Sequence, residues 1–192
     1  MTSRSPVRAW AWWTLGFLAF PPAGLIGRAL AGPVDDPGAA LLGGAVTGLV
    51  IGVGQVIAGR GRLPALRWPV TTAIGTGCGL LLGAVVVGYG TTLADLAVMG
   101  ALTGAVLGPA QALTLPRTVP HRWAWAVTVP PLWALGWTVT TLAGVDVDAA
   151  YTVFGATGAL AFSALSGLLF LRLTGRTSAV GASAVSRRGA RR

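Results

Sequence analysis

Charge divides this chain more sharply than any other property. Thirteen of its fourteen arginines and all five of its aspartates fall in alternate connections between apolar stretches. Arg4 and Arg8 precede the first stretch, Arg60, Arg62 and Arg67 follow the second, and Arg117 and Arg122 follow the fourth. Arg172, Arg176, Arg187, Arg188, Arg191 and Arg192 follow the sixth. Asp35 and Asp36, then Asp95, then Asp146 and Asp148 occupy the intervening connections. The stretches themselves, at about residues 10–31, 39–58, 68–89, 96–115, 123–144 and 150–171, each supply the roughly 20 residues that cross ~30 Å of hydrocarbon. Arginine is retained on the cytoplasmic side of short loops. Both termini are therefore expected in the cytoplasm, in a multi-pass protein of the cell membrane. With 54% hydrophobic and 10% charged residues, the chain has too little polar surface to cover a soluble globule.

A repeat subdivides the spans. Residues 44–55 read GAVTGLVIGVGQ and residues 100–111 read GALTGAVLGPAQ, seven positions being identical. A weaker third copy starts at Gly155, with Ala159 and Ser163 at the small-residue positions and Ser166 where glutamine would stand. Such self-similarity marks a repeated structural unit. The unit is a helical hairpin, opened by an arginine with a tryptophan within two residues: Arg8 and Trp10, Arg67 and Trp68, Arg122 and Trp123. In this arrangement the indoles are expected in the headgroup zone, with Tyr89 and Tyr151 at the opposite interface. The expected fold is an all-α membrane protein of six transmembrane helices, formed by three tandem hairpins at about 8–62, 63–117 and 118–172 with pseudo-threefold symmetry. Residues 1–9 form a cytoplasmic N-terminus, 10–172 the membrane domain, and 173–192 a basic tail without structure, by composition. Arg4, Arg8 and Ala29-Leu30-Ala31 also fit a cleavable leader. The length of the first span, and the return of Trp10-Ala11-Trp12 as Trp123-Ala124-Trp125, favour a retained helix.

Small residues four apart share one helical face and let two backbones approach, which matters in lipid because hydrocarbon supplies no hydrophobic drive between helices. Gly44, Gly48 and Gly52, then Gly100, Gly104 and Gly108, then Gly155, Ala159 and Ser163 are the expected packing faces. The odd-numbered spans carry Pro21-Pro22, the glycines 75, 77 and 79, and Pro130-Pro131, where breaks are expected. Matching breaks in transporters mark binding sites. Thr47 and Thr103 are expected to bond back to their own helices, and Trp133 and Trp137 to pack inside.

The polar candidates are few. Gln55 and Gln111 are the only glutamines and hold matched places about one turn before a cytoplasmic end. They, with Ser166, either bond a neighbouring helix or line a vestibule for a small polar solute. Arg28 alone breaks the charge rule; it snorkels outward, pairs with Asp35 or Asp36, or holds an anion. No carboxylate lies in a span, His121 is loop-bound beside Arg122, and Cys78 is the only cysteine. General acid–base, metal and cofactor chemistry therefore have no evident residues, and no catalytic site, metal or cofactor is expected. Anionic lipids at the cytoplasmic face suit the net charge of +9 better than nucleic acid, since the arginines flank spans and form no folded basic domain.

The Gly-Ala-x-x-Gly-x-x-x-Gly-x-x-Gln element followed by arginine, with tryptophan-led odd helices, resembles a loose group of small uncharacterised bacterial multi-pass membrane proteins. The resemblance covers residues 8–122 and implies a fold and a location, but no activity. The expected function is non-enzymatic, a scaffold or partner-binding subunit in a homo-oligomer or with another membrane protein. The alternative is a small-solute transporter or channel component, such as the substrate-binding membrane subunit of a vitamin importer.

Overall fold

The computed structural model describes residues 5–189 apart from Thr118 and Pro120, with side chains as far as Thr174. Arg4, Arg191 and Arg192 lie outside the described residues. In hydrocarbon each backbone amide must find its partner within the protein, and every regular element of the described chain is a helix, with no strand among the described residues. The first span comprises α1 (Pro6–Thr14), a 3-10 segment (Leu15–Ala19) and α2 (Phe20–Ala31). The remaining helices are α3 (Pro37–Gly59), α4 (Arg67–Val86), α5 (Leu93–Thr114), α6 (Trp123–Leu142) and α7 (Ala156–Gly189). Five of these units are long and apolar enough to cross a membrane: the first span, α3, α4, α5 and residues Ala156–Thr174 of α7. α6 is as long as α4, but tryptophan, threonine and proline make it less apolar. The chain is thus built as a multi-pass membrane protein.

Polarity is inverted relative to a soluble bundle. Ile57, Leu66, Val127 and Leu142 are exposed, whereas Thr47, Gln55, Thr72, Gln111 and Ser166 are buried. An outer surface of this kind is expected where lipid is the solvent. Each span packs on its neighbours in sequence, and α7 returns to α1 and the 3-10 segment, closing the set into a ring. The turns that carry Asp35, Asp95 and Asp146 lie together at what we term the aspartate end. The opposite, arginine end carries Arg60, Arg62, Arg117 and Arg122.

Glycine sets the seams between neighbours. A Cβ on Gly48 would sit 2.6 Å from the Thr72 carbonyl oxygen of α4, and one on Gly104 would sit 2.6 Å from Cα of Pro130 in α6. Gly44 and Gly52 meet α4, and Gly100 and Gly108 meet α6, in the same way. The third copy departs from expectation. Gly155 precedes α7, and the close approach between α6 and α7 is made by Gly136 and Gly158 instead. Ala159 and Ser163 are buried as the packing face requires.

Of the three expected breaks, only the first interrupts its helix. Pro21 and Pro22 have no N–H to donate to the preceding turn, and the chain there winds as a 3-10 segment before α2 resumes. α4 and α6 run continuously through their glycines and prolines. α7 starts later than its apolar run because residues 143–155 form a plug. Thr152, Val153 and Phe154 are buried in it. The plug is tied down by Val34 N donating to Ala150 O (3.0 Å) and by the Thr91 hydroxyl donating to Asp148 (2.6 Å). At its other end α7 continues to Gly189, through the stretch expected to lack structure; alanine and arginine, frequent there, are good helix formers.

Candidate functional site

The two glutamines come together. Gln111 Nε2 donates to Gln55 Oε1 at 3.3 Å and to Thr72 Oγ1 at 2.9 Å, and the Thr72 hydroxyl donates to the Trp68 carbonyl at 2.7 Å. Each amide oxygen also receives an indole N–H: Trp68 to Gln55 at 2.8 Å, Trp125 to Gln111 at 2.9 Å. Ser166 is served likewise by Trp13 at 3.1 Å, and its own hydroxyl reaches the Ser163 carbonyl at 3.4 Å. All seven side chains are buried. The sites thus join α3 to α4, α5 to α6, and α7 to α1.

The indoles also meet one another. Trp125 makes edge contacts with Trp13 (6.0 Å between centroids) and Trp68 (5.9 Å), while Phe170 stacks on Trp13 at 4.0 Å. The interior at this level is therefore filled by aromatic rings. A second aromatic cluster lies nearer the aspartate end, where Phe20, Trp133, Phe154 and Phe162 pack at 5.0–6.2 Å. Its burial of Trp133 and Trp137 agrees with their expected packing role.

Of the three indoles expected in the headgroup zone, Trp10 is half-buried and donates to the Ala164 carbonyl at 2.9 Å, Trp68 is enclosed, and only Trp123 faces outward, as does Trp12, which was outside the expected set. Trp12 and Trp123 are exposed, with the guanidiniums of Arg60 and Arg122 over their rings at 4.5 and 5.5 Å. Trp68 and Trp125 are fully buried instead. They and Thr72 were not singled out as partners of the glutamines. The available signal was spacing, since each glutamine precedes its tryptophan by nearly the same interval, 13 and 14 residues. Thr103 bonds its own helix at the Met99 carbonyl, as expected. Thr47 does not: it donates to the Ala23 carbonyl of α2 at 3.2 Å and shares a 2.6 Å hydrogen bond with Thr152 of the plug. Gly27 lies against that pair and leaves the room for it.

Arg28 sits at the opposite end from the glutamines, half-buried, with its guanidinium 5.1 Å above the Tyr151 ring. Asp36, one of its two expected partners, accepts from Gly38 N (2.6 Å) and Ala39 N (3.0 Å) and thereby caps α3. Chemically, the glutamine cluster is a set of neutral donors and acceptors engaged with one another. No protein family, curated protein or solved structure matches this chain.

Proposed function

We propose that this chain is a non-enzymatic multi-pass membrane protein acting as a scaffold or partner-binding subunit, its six helices forming three hairpins around a pseudo-threefold axis. The observation that carries this reading is the engagement of both glutamines by buried indoles. A carrier built on these amides needs them wet, whereas here their acceptors hold Trp68 and Trp125. The symmetry draws support from the same bonds. In each, the helix that ends one hairpin receives an indole from the helix that opens the next, and Ser166 with Trp13 completes the cycle. Both termini lie in the cytoplasm, where Arg60, Arg62, Arg117 and Arg122 face anionic headgroups.

The test of the role is purification of the tagged chain from its native membrane in mild detergent, with mass spectrometry of what accompanies it. A stoichiometric membrane-protein partner or a defined homo-oligomer is expected. A lone monomer that conducts a small polar solute in proteoliposomes overturns the proposal. Reporter fusions at Asp95 and after Arg192 test the orientation; periplasmic activity of the second would reverse it.

A further inference from the structure

The 3-10 segment of the first span borders a groove on the lateral surface. It lies between that span and α3, encloses about 380 Å³, and begins at Trp12 toward the arginine end. Small residues form its floor: a Cβ on Gly16 would sit 3.2 Å from the Ala58 Cβ, and one on Gly54 would collide with the Ala19 Cβ. Trp12, Leu15, Leu18 and Ile57 stand beside that floor as exposed apolar walls. From Trp12 to Ala19 the groove descends seven residues, or about 11–14 Å along the axis. That is close to one leaflet's share of the roughly 30 Å of hydrocarbon.

Two arginines stand at the upper end of this groove. The Arg60 guanidinium lies 4.5 Å over the ring of Trp12, itself a wall residue, and Arg60 caps the end of α3 two residues after the lining Ala58. Arg8 precedes Trp12 by four residues in α1, and residues four apart share a helical face. Both arginines are exposed, and neither side chain has a hydrogen-bond or carboxylate partner among the described residues. Stacking on an indole uses the face of a guanidinium and leaves the N–H groups in its plane free to donate. The five aspartates cannot serve them, because all lie in the connections of the opposite end.

Depth and charge select the occupant. A small polar solute would meet no polar side chain below Trp12. A partner helix crosses the whole bilayer, whereas this groove ends after one leaflet's depth. An acyl chain fits both limits, and its phosphodiester would lie level with guanidiniums, which bind such oxygens through parallel N–H donors. We infer that this groove seats an acyl chain of an anionic phospholipid, with Arg8 and Arg60 holding the phosphate. The surrounding charge decides the headgroup. The ammonium of an ethanolamine head would find two guanidiniums and no acid, and the Trp12 ring, an aromatic seat of the kind choline uses, already carries Arg60. A glycerol head brings no cation to place. The inference deepens the headgroup contact proposed above for Arg60 and rests on the chain being embedded in lipid. Neither the scaffold role nor the orientation enters it, because either leaflet can offer such a lipid.

Bromine on an acyl chain quenches a neighbouring indole, which gives a local readout at Trp12. The full chain in phosphatidylcholine nanodiscs receives rising fractions of brominated phosphatidylglycerol, phosphatidylethanolamine or phosphatidylcholine, and the Trp12 share of the quenching is the difference from Trp12→Phe. Phosphatidylglycerol should saturate that share at a much lower fraction than the other two. Each arginine should contribute about fivefold to the preference, as a basic residue does at an anionic surface, so Arg8→Gln and Arg60→Gln each weaken it and the double variant removes it. Arg122→Gln takes the same charge from the same end, but from beside Trp123, and should leave it unchanged. Leu15→Ala combined with Ile57→Ala lowers the walls at exposed positions and should weaken phosphatidylglycerol binding with both arginines in place. Equal losses in Arg122→Gln and Arg60→Gln would overturn the site and show general surface attraction only, as would binding untouched by the lowered walls. Equal saturation by all three lipids would overturn the selection of an anionic head. If no brominated lipid quenches Trp12, a second copy or another protein covers the groove and the proposal fails.

Discussion

Two pairs of helices, α3 and α5 from the aspartate end and α4 and α6 from the arginine end, start by different means. At the aspartate end the starts are local. Asp36 caps α3 through two backbone amides with Pro37 behind it, and Thr92 and Asp95 form a reciprocal capping box on α5. Their negative charge also agrees with the helix dipole. At the arginine end α4 and α6 begin beside Arg67 and Arg122 with no side-chain cap, and a cation at a helix N-terminus opposes the dipole. Those starts are held by tertiary bonds, since Trp68 and Trp125, in the first turn of each helix, reach across to the glutamines. The difference teaches that retention of arginine on one side of the membrane can override local capping preference when a buried network anchors the same turns.

The comparison predicts an order of damage, measurable by reversible unfolding in mixed detergent–SDS micelles. Trp125→Ala should be worst, destabilising by about 3–5 kcal/mol, because it empties a fully buried indole site and leaves Gln111 without its donor. Equal stability of this variant and the wild type would remove the arginine-end network from the account. Gln111→Leu should cost about 2 kcal/mol by orphaning the Trp125 N–H, and Gln111→Glu should also lose stability, since a buried charge replaces a neutral amide. Asp36→Ala, at the other end, should cost about 1 kcal/mol through the lost cap. Faster amide exchange confined to the first turn of α3 would show that the effect is local, whereas exchange spreading into α4 would break the distinction between the ends. Arg60→Gln should be mildest, within about 0.5 kcal/mol, because its contact with Trp12 is at the exposed surface.

The α6–α7 pair sharpens the same contrast. Its outer connection, residues 143–155, is longer than 32–36 and 87–92, and it folds inward as a plug where the others are simple turns. Replacing Thr152 by Val should loosen the plug by removing the hydrogen bond with Thr47 at nearly constant volume. Increased proteolysis within 143–155, with unchanged exchange in α3 and α4, is the expected signature.

Much of the architecture was legible in the sequence because hydrocarbon permits so few solutions. A backbone that must satisfy itself in lipid forms helices, and the apolar runs between arginine and aspartate connections placed those helices nearly as found. The glycine seams of α3 and α5 were equally legible, since a period of four marks one helical face. Residues 143–155 were not, because burial of Thr152 and Phe154 depends on a space that only the assembled ring creates. Nor were the partners of Gln55 and Gln111. Helical periodicity says which residues share a face but not which neighbour that face meets, so Trp68 looked like an interfacial anchor and Trp125 had no assigned partner. The sequence by itself determined a helical chain threaded back and forth through a bilayer. Only the tertiary structure decided that its rare amides bind indoles, and that residues 143–155 fold inward against α2 and α3, because both depend on contacts between segments far apart in the chain.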